Sequence, residues 1–148
     1  MAEVVLTGVS KNFGTTEAVR DVSMTVPDGA FVVLLGPTGA GKTTTLRLIA
    51  GLEAPDAGTV TIGGVPVNGT SPAERNVAMV FQQYSLYPHL TVRENLEFPL
   101  KSPMLKTPQS EIDDKIAEVA RVLRIDHKLD NKSTQLSGGE MQRVSIGR

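Results

Sequence analysis

The chain has 148 residues, of which 40% are hydrophobic and 21% are charged, a composition ordinary for one globular domain with a packed core. Its 15 Lys and Arg residues nearly balance 16 Asp and Glu residues, and no stretch concentrates one sign, which argues against direct nucleic-acid binding. The chain has no cysteine and therefore no disulfide, which agrees with a reducing compartment. No apolar run approaches the roughly 20 residues that span a bilayer, so any membrane association is expected to come through a partner.

Short strands are predicted before residue 30. Residues 4–6 are apolar, and residues 22–26 alternate between apolar and polar side chains, as a half-buried strand does. The sequence Pro-Asp-Gly at 27–29 predicts a turn that closes the second strand.

Residues 31–35 form a continuous apolar run, which is typical of a strand buried on both faces. The run leads directly into a segment that fits the phosphate-binding pattern G-x-x-x-x-G-K-[ST] at every fixed position. This segment consists of Gly36, Pro37, Thr38, Gly39, Ala40, Gly41, Lys42 and Thr43. A helix is predicted over 44–50, with Leu46, Ile49 and Ala50 facing inward and Gly51 as its C-terminal cap. The alternative is a glycine turn of purely structural purpose.

Each residue type in this loop has a physical reason to bind phosphate. Glycines leave backbone N–H groups accessible to phosphate oxygens and permit the positive φ angles that point several N–H groups into one concavity. Lys42 supplies a cation for the terminal phosphates, and Thr43 offers a hydroxyl to Mg²⁺. The partial positive charge at a helix N-terminus also favours the anion. We therefore expect the chain to bind a nucleoside triphosphate.

Three further strand segments are predicted after the loop. Residues 59–62 and 65–67 flank Gly63-Gly64, which predicts a β-hairpin and, with the earlier strands, an antiparallel β layer. Residues 76–81 (Asn-Val-Ala-Met-Val-Phe) are a second candidate for a buried strand. The chain is therefore predicted to combine local antiparallel pairs with a parallel core.

The pattern becomes helical after residue 90. Thr91 and Glu94 fit a capping box, and the helix that they start is predicted to end near Pro99. The polar stretch 101–110, with prolines at 103 and 108, is predicted to be a connector. An amphipathic helix follows, whose apolar face would form the core of a helical subdomain and comprises Ile112, Ile116, Val119, Ala120 and Leu123.

The sequence Leu-Ser-Gly-Gly-Glu at 136–140 is the second informative motif. Ser137 and Glu140 predict a capping box, which alone would account for both polar residues. A capping box does not account for Gly138 and Gly139, because glycine inside a helix costs about 1 kcal/mol relative to alanine. A close approach by phosphate at this helix N-terminus is the natural explanation.

These motifs together make the chain resemble the ATP-binding subunits of ABC transporters. The phosphate loop at 36–43 is followed by Val80-Phe81-Gln82, which matches the Q-loop, and by LSGGE at 136–140, where the family's commonest signature is LSGGQ. The order and separations are those of the family. Residues 75–100 look like the importer group that serves sugars, polyols and glycerol phosphate. Glu140 in place of Gln is a departure at a tolerated position.

The resemblance implies roles for residues within one subunit. Phe13 is similar to the aromatic residue that stacks on adenine, and a place in a small hydrophobic cluster is the alternative. Gln82 is expected to reach Mg²⁺ or the attacking water. Gln83 is the competing candidate, because adjacent residues of a strand point to opposite faces. The implied sets are Lys42 and Gln82 for catalysis and Thr43 and Gln82 for Mg²⁺, with Thr44 as a further nucleotide contact.

Other implied contacts lie between subunits. Ser137, Gly138, Gly139 and Glu140 resemble residues that close over the ATP held by a second copy, in a head-to-tail homodimer. The segment from Tyr84 to Leu90 looks like the surface that receives the transmembrane permease, with an extracytoplasmic solute-binding protein acting indirectly. His89 in this segment is a lone histidine, better explained as a contact residue than as a metal ligand. The implied location is peripheral, at the cytoplasmic face of the inner (cell) membrane.

The implied fold class is α/β, a P-loop NTPase (RecA-like) core with an N-terminal antiparallel β layer and a helical subdomain, incomplete at the C-terminus. We expect residues 1–98 to form the nucleotide-binding core and residues 99–148 to form the helical subdomain with the signature helix. The family's Walker B strand, D-loop and switch histidine are expected after Arg148, and the loss of a neighbouring strand should expose apolar surface. The chain alone is therefore expected to bind ATP but to hydrolyse it poorly or not at all.

The leading interpretation is the energy-coupling subunit of a carbohydrate-class solute importer, in which ATP binding closes the dimer and hydrolysis resets it. Two alternatives remain open. One is a non-transport ABC ATPase, although such proteins usually carry long insertions or tandem domains. The other is a catalytically silent nucleotide-binding module. A generic P-loop kinase is disfavoured because it would not explain residues 136–140.

Overall fold

The computed structural model describes residues 2–102, 105 and 107–148. The chain divides into two compact units, Met1–Met79 and Val80–Arg148, which we call the first and second units. Each unit has a hydrophobic core of its own. This division lies earlier in the chain than the boundary predicted between residues 98 and 99. The boundary at 98 and 99 concerns functional organisation and stays a prediction.

The first unit is built on a four-stranded antiparallel sheet with the order β2-β1-β3-β4. Val4 at the start of β1 pairs with Val26 of β2 on one side and with Ile62 of β3 on the other. The predicted antiparallel layer and the Gly63-Gly64 hairpin are confirmed. The strands are β1 Val4–Phe13, β2 Thr16–Val26, β3 Ala57–Ile62 and β4 Val65–Pro66.

One helix, α1 (Lys42–Ala50), packs on this sheet. The core between them consists of Leu6, Val9, Val19, Leu48, Val60 and Val67. The predicted inward face of α1 is wrong at Leu46, which is 49% exposed, whereas Leu48 is fully buried. The reason is that the loop before α1 is held against β2, which sets the rotation of the helix independently of its hydrophobic pattern. The Gly51 cap is confirmed, with a φ of 78°.

The two predicted buried strands at 31–35 and 76–81 are not formed. Phe31 is 93% exposed and Leu35 is 89% exposed, and Phe81 is also exposed. A central parallel strand needs hydrogen-bond partners along its length, and among the described residues no strand pairs with either segment. Apolar surface is therefore exposed at both segments, as expected for a strand segment that has no neighbour.

The second unit is helical. Its helices are α2 Val92–Leu100, α3 Gln109–Val122 and α4 Gly138–Gly147. The predicted capping box of α2 is confirmed, because Thr91 N–H donates to Glu94 Oε2 at 2.7 Å and Glu94 N–H donates to Thr91 Oγ1 at 3.2 Å. Helix α2 includes Pro99 in its last turn and ends one residue later than that proline. Pro103 of the predicted connector lies outside the described residues.

The core of the second unit comprises Val92, Leu96, Ile112, Ile116, Ala120, Ile125, Leu136 and Val144. Three of these side chains lie on the predicted apolar face of α3, which is thereby confirmed. Leu136 and Val144 bring the signature segment and α4 into the same core. Within the described part of the chain, no helix is both long and apolar enough to cross a membrane.

Candidate functional site

The phosphate loop lies between residue 35 and the first turn of α1, and its shape depends on glycine. Gly41 is the N-cap of α1 with a φ of 80°, a left-handed conformation that other residues rarely adopt. A Cβ at Gly41 would lie 2.3 Å from the backbone oxygen of Ala18 in β2. The loop is therefore pressed against the neighbouring strand at a distance that excludes any side chain.

Lys42 is tied to the loop that precedes it. Its Nζ donates to the backbone oxygens of Gly36 at 2.8 Å and Pro37 at 2.7 Å. Ala40 N–H donates to Pro37 O at 3.2 Å and closes the turn inside the loop. Because a lysine ammonium has three donors, one N–H of Lys42 is available to a phosphate oxygen while the other two hold the loop.

A cleft of about 310 Å³ opens beside this loop. Three residues of β2 line it and were not anticipated from the sequence, because β2 was predicted to begin at residue 22. The missed signal is Gly14, which with Thr15 forms a two-residue turn between β1 and β2. The lining consists of Phe13, Thr16, Glu17, Ala18, Gly39, Ala40, Gly41, Lys42, Thr43 and Thr44.

Phe13 stands at the end of β1 on the edge of this cleft and is 46% exposed. Lys11 Nζ lies 5.4 Å from the centroid of its ring. This exposure favours a ligand contact for Phe13 over a place in a hydrophobic cluster, and adenine stacking stays a prediction.

Asp56 fixes the backbone that leads to Phe13, a role that sequence reasoning missed. Asp56 Oδ2 accepts a hydrogen bond from Asn12 N–H at 2.7 Å, and Asp56 Oδ1 lies 3.3 Å from Lys11 Nζ. The hydrogen bond from the Asn12 backbone, helped by the charge of Lys11, lowers the pKa of Asp56 below its usual value. The carboxylate therefore holds the end of β1 in place beside the cleft.

The Thr43 hydroxyl is the oxygen beside this loop that we consider as a ligand for Mg²⁺. Thr43 is the second residue of α1, exposes its side chain and lines the cleft. Thr45 Oγ1 instead donates to Gly41 O at 2.9 Å, so that hydroxyl is used to hold the helix start. Among the described residues, no group of three or more Asp, Glu or His side chains is placed to hold a metal. Mg²⁺ is commonly held by one or two protein oxygens together with substrate phosphates and water, and the Thr43 hydroxyl fits that pattern.

The Q-loop candidates Gln82 and Gln83 both lie in an exposed turn of the second unit. The prediction that these two side chains point to opposite faces of a strand is wrong, because residues 76–81 form no strand. Side chains in a turn do not alternate as they do in a strand. The choice of Gln82 as the residue that reaches Mg²⁺ or water therefore stays a prediction that rests on motif position alone.

The signature motif begins α4 with a complete capping box, as predicted. Ser137 N–H and Ser137 Oγ each lie 2.8 Å from Glu140 Oε2, and Glu140 N–H donates to Ser137 Oγ at 3.4 Å. Glu140 Oε1 also lies 3.4 Å from Lys128 Nζ. The hydrogen bond from the Ser137 backbone, followed by that from its hydroxyl, lowers the pKa of Glu140 to about 2. Gly138 and Gly139 between these residues are exposed, and their phosphate contact stays a prediction.

The family described as ABC transporter matches residues 19–148 of the chain. The sn-glycerol-3-phosphate import ATP-binding protein UgpC of Brucella abortus is 52% identical over 149 residues, covering 100% of this chain and 42% of the relative. The trehalose import ATP-binding protein SugC of Mycobacterium tuberculosis is 50% identical over 150 residues, covering 100% of this chain and 37% of the relative. The chain thus spans less than half the length of these relatives.

Solved structures agree on the fold. The dimeric structure of MJ0796, a bacterial ABC transporter cassette, superposes with a TM-score of 0.86 at 31% identity and covers 97% of this chain and 67% of that chain. The cbiO1 structure from Clostridium perfringens superposes with a TM-score of 0.84 at 22% identity and covers 97% of this chain and 59% of that chain. The predicted fold class is confirmed by these neighbours.

Proposed function

The chain belongs to the ABC transporter family, and we propose that it is the ATP-binding part of the energy-coupling subunit of a carbohydrate-class solute importer. The observation that carries the proposal is the phosphate loop, in which Gly41 is pressed against Ala18 and Lys42 is held by two loop carbonyls. Two relatives are named as the import ATP-binding proteins for sn-glycerol-3-phosphate and for trehalose, and these names support the solute class.

In this proposal the cleft beside the loop takes ATP with Mg²⁺. The phosphates lie on the loop from Gly36 to Thr43, and the adenine stacks on Phe13. The free N–H of Lys42 contacts a terminal phosphate, Thr44 contacts the nucleotide, and Thr43 and Gln82 are the proposed Mg²⁺ ligands. The cation would neutralise part of the triphosphate charge and orient it. The cleft of about 310 Å³ is lined by both Phe13 and the loop residues from Gly39 to Thr44, which supports this assignment.

We further propose that the bound ATP is covered by a second copy of the chain in a head-to-tail homodimer. Ser137, Gly138, Gly139 and Glu140 of that copy would approach the nucleotide. The first N–H groups of a helix have no partner inside the helix, and those of α4 lie in an exposed turn with two glycines. ATP binding would close the pair and hydrolysis would reopen it.

The segment from Tyr84 to Leu90 is the proposed contact surface for the transmembrane permease, and a solute-binding protein would act through that permease. Its support is the sequence resemblance together with the partial exposure of the segment. The proposed location is accordingly peripheral, at the cytoplasmic face of the inner membrane. The proposed functional division remains a core over 1–98 and a helical subdomain over 99–148.

A catalytically silent binding module is the second candidate, and one observation favours it for these 148 residues. The carboxylates of Glu94 and Glu140 are each engaged in a capping box. Neither is free to orient an attacking water. Phosphate release measured with the 148-residue chain tests this second candidate, because a rate equal to that of a complete ABC ATPase excludes the silent module.

Titration with a fluorescent ATP analogue tests the proposed nucleotide site. We expect Lys42→Ala to weaken binding by at least about tenfold, because it removes a charge-assisted contact and both restraints on the loop. Lys115→Ala is the matched control, since that lysine pairs with Glu111 on the surface of α3. Equal affinity of the two variants would rule out the phosphate-loop assignment.

A further inference from the structure

We infer that residues 84–87, an irregular segment that we call the turn, hold α4 at both of its ends, so that a displacement of this turn moves Ser137–Gly139 with it. The inference rests on the proposed function, in which the turn belongs to the permease surface and Ser137–Gly139 cover ATP. All of the contacts that join these two surfaces lie within the second unit.

The first contact is at the N-terminal end of α4. A Cβ at Gly138 would lie 3.3 Å from Tyr84 Oη, so the phenol group lies directly beside the first helical residue. Tyr84 and Ser85 have φ angles of 59° and 52°, a left-handed conformation that is uncommon for residues other than glycine. The surroundings must hold this pair of residues in place, because the chain alone does not favour their conformation.

The second contact is at the C-terminal end of the same helix. Arg148 Nη1 donates to the backbone oxygen of Ser85. The guanidinium carbon of Arg148 lies 4.3 Å from the ring centroid of Tyr87 and 5.5 Å from that of Phe98. The two rings pack with centroids 4.6 Å apart and planes tilted by 52°. One arginine therefore joins the end of α4 to the turn through a hydrogen bond and two cation–π contacts.

Tyr87 is itself anchored to the segment that leads into the signature motif. Asn95, which is fully buried in α2, accepts a hydrogen bond from Tyr87 N–H at 2.8 Å and donates to Tyr87 O at 3.2 Å. Ser133 Oγ donates to the same carbonyl oxygen at 3.0 Å. Ser133 begins the short 3₁₀ turn Ser133–Gln135 that comes just before the signature residues. The turn thus has contacts before, at the start of and at the end of the signature helix.

We expect a substitution at Arg148 to change the amide environment of Gly138, which lies roughly 15 Å away along α4. The test uses ¹H–¹⁵N NMR spectra of the 148-residue chain with Arg148→Ala. The matched control is Arg143→Ala, because Arg143 lies closer to Gly138 along the helix but donates to Leu123 O rather than to the turn. Both tyrosines of the chain lie in the turn, so tyrosine fluorescence reports separately on the turn itself.

We expect Arg148→Ala to shift the amide resonances of Gly138 and Gly139 more than Arg143→Ala does. We also expect roughly tenfold faster hydrogen exchange at Met141 N–H, whose acceptor is Ser137 O at 2.9 Å. Changed tyrosine fluorescence with unchanged Gly138, Gly139 and Met141 signals would overturn the inference. Unchanged tyrosine fluorescence together with unchanged Gly138, Gly139 and Met141 signals would also overturn it.

Arg148→Lys keeps the measurement decisive if the alanine variant does not fold. Lysine retains the charge but loses the planar stacking on two rings, so the same pattern is expected at smaller amplitude. Its absence in a folded lysine variant would again overturn the inference. These measurements need neither nucleotide nor permease. Failure of ATP-analogue binding would therefore count against the proposed function alone.

Discussion

The guanidinium of Arg75 occupies the space where a side chain at Gly51 would stand. A Cβ at Gly51 would lie 2.5 Å from Arg75 Nε, and Arg75 is only 5% exposed. Arg75 Nη1 donates to Leu48 O at 2.8 Å and Ile49 O at 3.0 Å, and Nε donates to Thr70 O at 3.0 Å. The arginine therefore satisfies carbonyls at the C-terminal end of α1, the helix whose other end carries the phosphate loop.

Replacing this arginine should destabilise the first unit. We expect Arg75→Ala to lower the free energy of unfolding by about 3 kcal/mol, since it removes three hydrogen bonds to backbone carbonyls and opens a cavity beside Gly51. Arg20→Ala removes an arginine whose side chain is 81% exposed and should change the same quantity by less than about 0.5 kcal/mol. Urea unfolding followed by circular dichroism gives both values, and similar losses in the two variants would contradict the capping role.

A side chain at Gly41 should weaken nucleotide binding without unfolding the chain. Gly41→Ala places a methyl group against Ala18 O and forces a left-handed φ, so the loop and the N-terminus of α1 must move apart from β2. Gly69→Ala is the control, because a Cβ there meets no atom within 4 Å. We expect Gly41→Ala to bind the ATP analogue more than about tenfold more weakly than the unchanged chain does. We expect the affinity of Gly69→Ala to be unchanged. Retained affinity in Gly41→Ala would show that the loop does not depend on this close approach.

Stacking at Phe13 gives a prediction that separates the base from the phosphates. Phe13→Ala should weaken the ATP analogue about tenfold, in line with the roughly 1–3 kcal/mol measured for aromatic stacking on a base, whereas Phe13→Tyr should keep most of the affinity. Phe31→Ala serves as the control, since Phe31 is 93% exposed and does not line the cleft. The measurement is the same titration with the ATP analogue. An unchanged dissociation constant for Phe13→Ala would show that the base does not stack on Phe13.

Glu140 should make the stability of the signature helix depend on pH. The pKa of Glu140 is lowered from 4.5 to about 2 by the Ser137 hydrogen bonds. Folding therefore gains stability from the ionised carboxylate above pH 4.5, and this gain is lost as the pH falls from 4.5 towards 2.

The corresponding experiment compares Tm between pH 6 and about pH 2 for the unchanged chain and for Glu140→Gln. Glutamine can still accept from Ser137 N–H but does not titrate, so the variant should lose less Tm over this range. Glu111→Gln, which removes a surface partner of Lys115, is the control and should follow the unchanged chain. Parallel curves for Glu140→Gln and the unchanged chain would contradict the assignment.

Elements that depend on neighbouring residues were predictable from the sequence. The capping boxes at Thr91 and Ser137, the Gly63-Gly64 hairpin and the Gly51 cap all formed as predicted. Each depends on side chains within a few positions of the backbone that they stabilise. The apolar face of α3 was predictable for the same reason, because a helix repeats every 3.6 residues.

The strand predictions at 31–35 and 76–81 failed because an apolar run states only that a segment can be buried, not that a partner lies beside it. The prediction of the buried face of α1 failed for a related reason, since the helix buries Leu48 and not Leu46. The contact between Gly41 and Ala18, which lies outside the helix, fixes the rotation of α1.

The sequence by itself determined the phosphate-loop motif, the caps and the family, since these are local patterns of residue type and spacing. Only the tertiary structure revealed that Ala18 shapes the loop, that Arg75 fills the space beside Gly51 and that Arg148 reaches Tyr87. These contacts join residues far apart in the chain. Their existence depends on how separate elements pack, which no local pattern encodes.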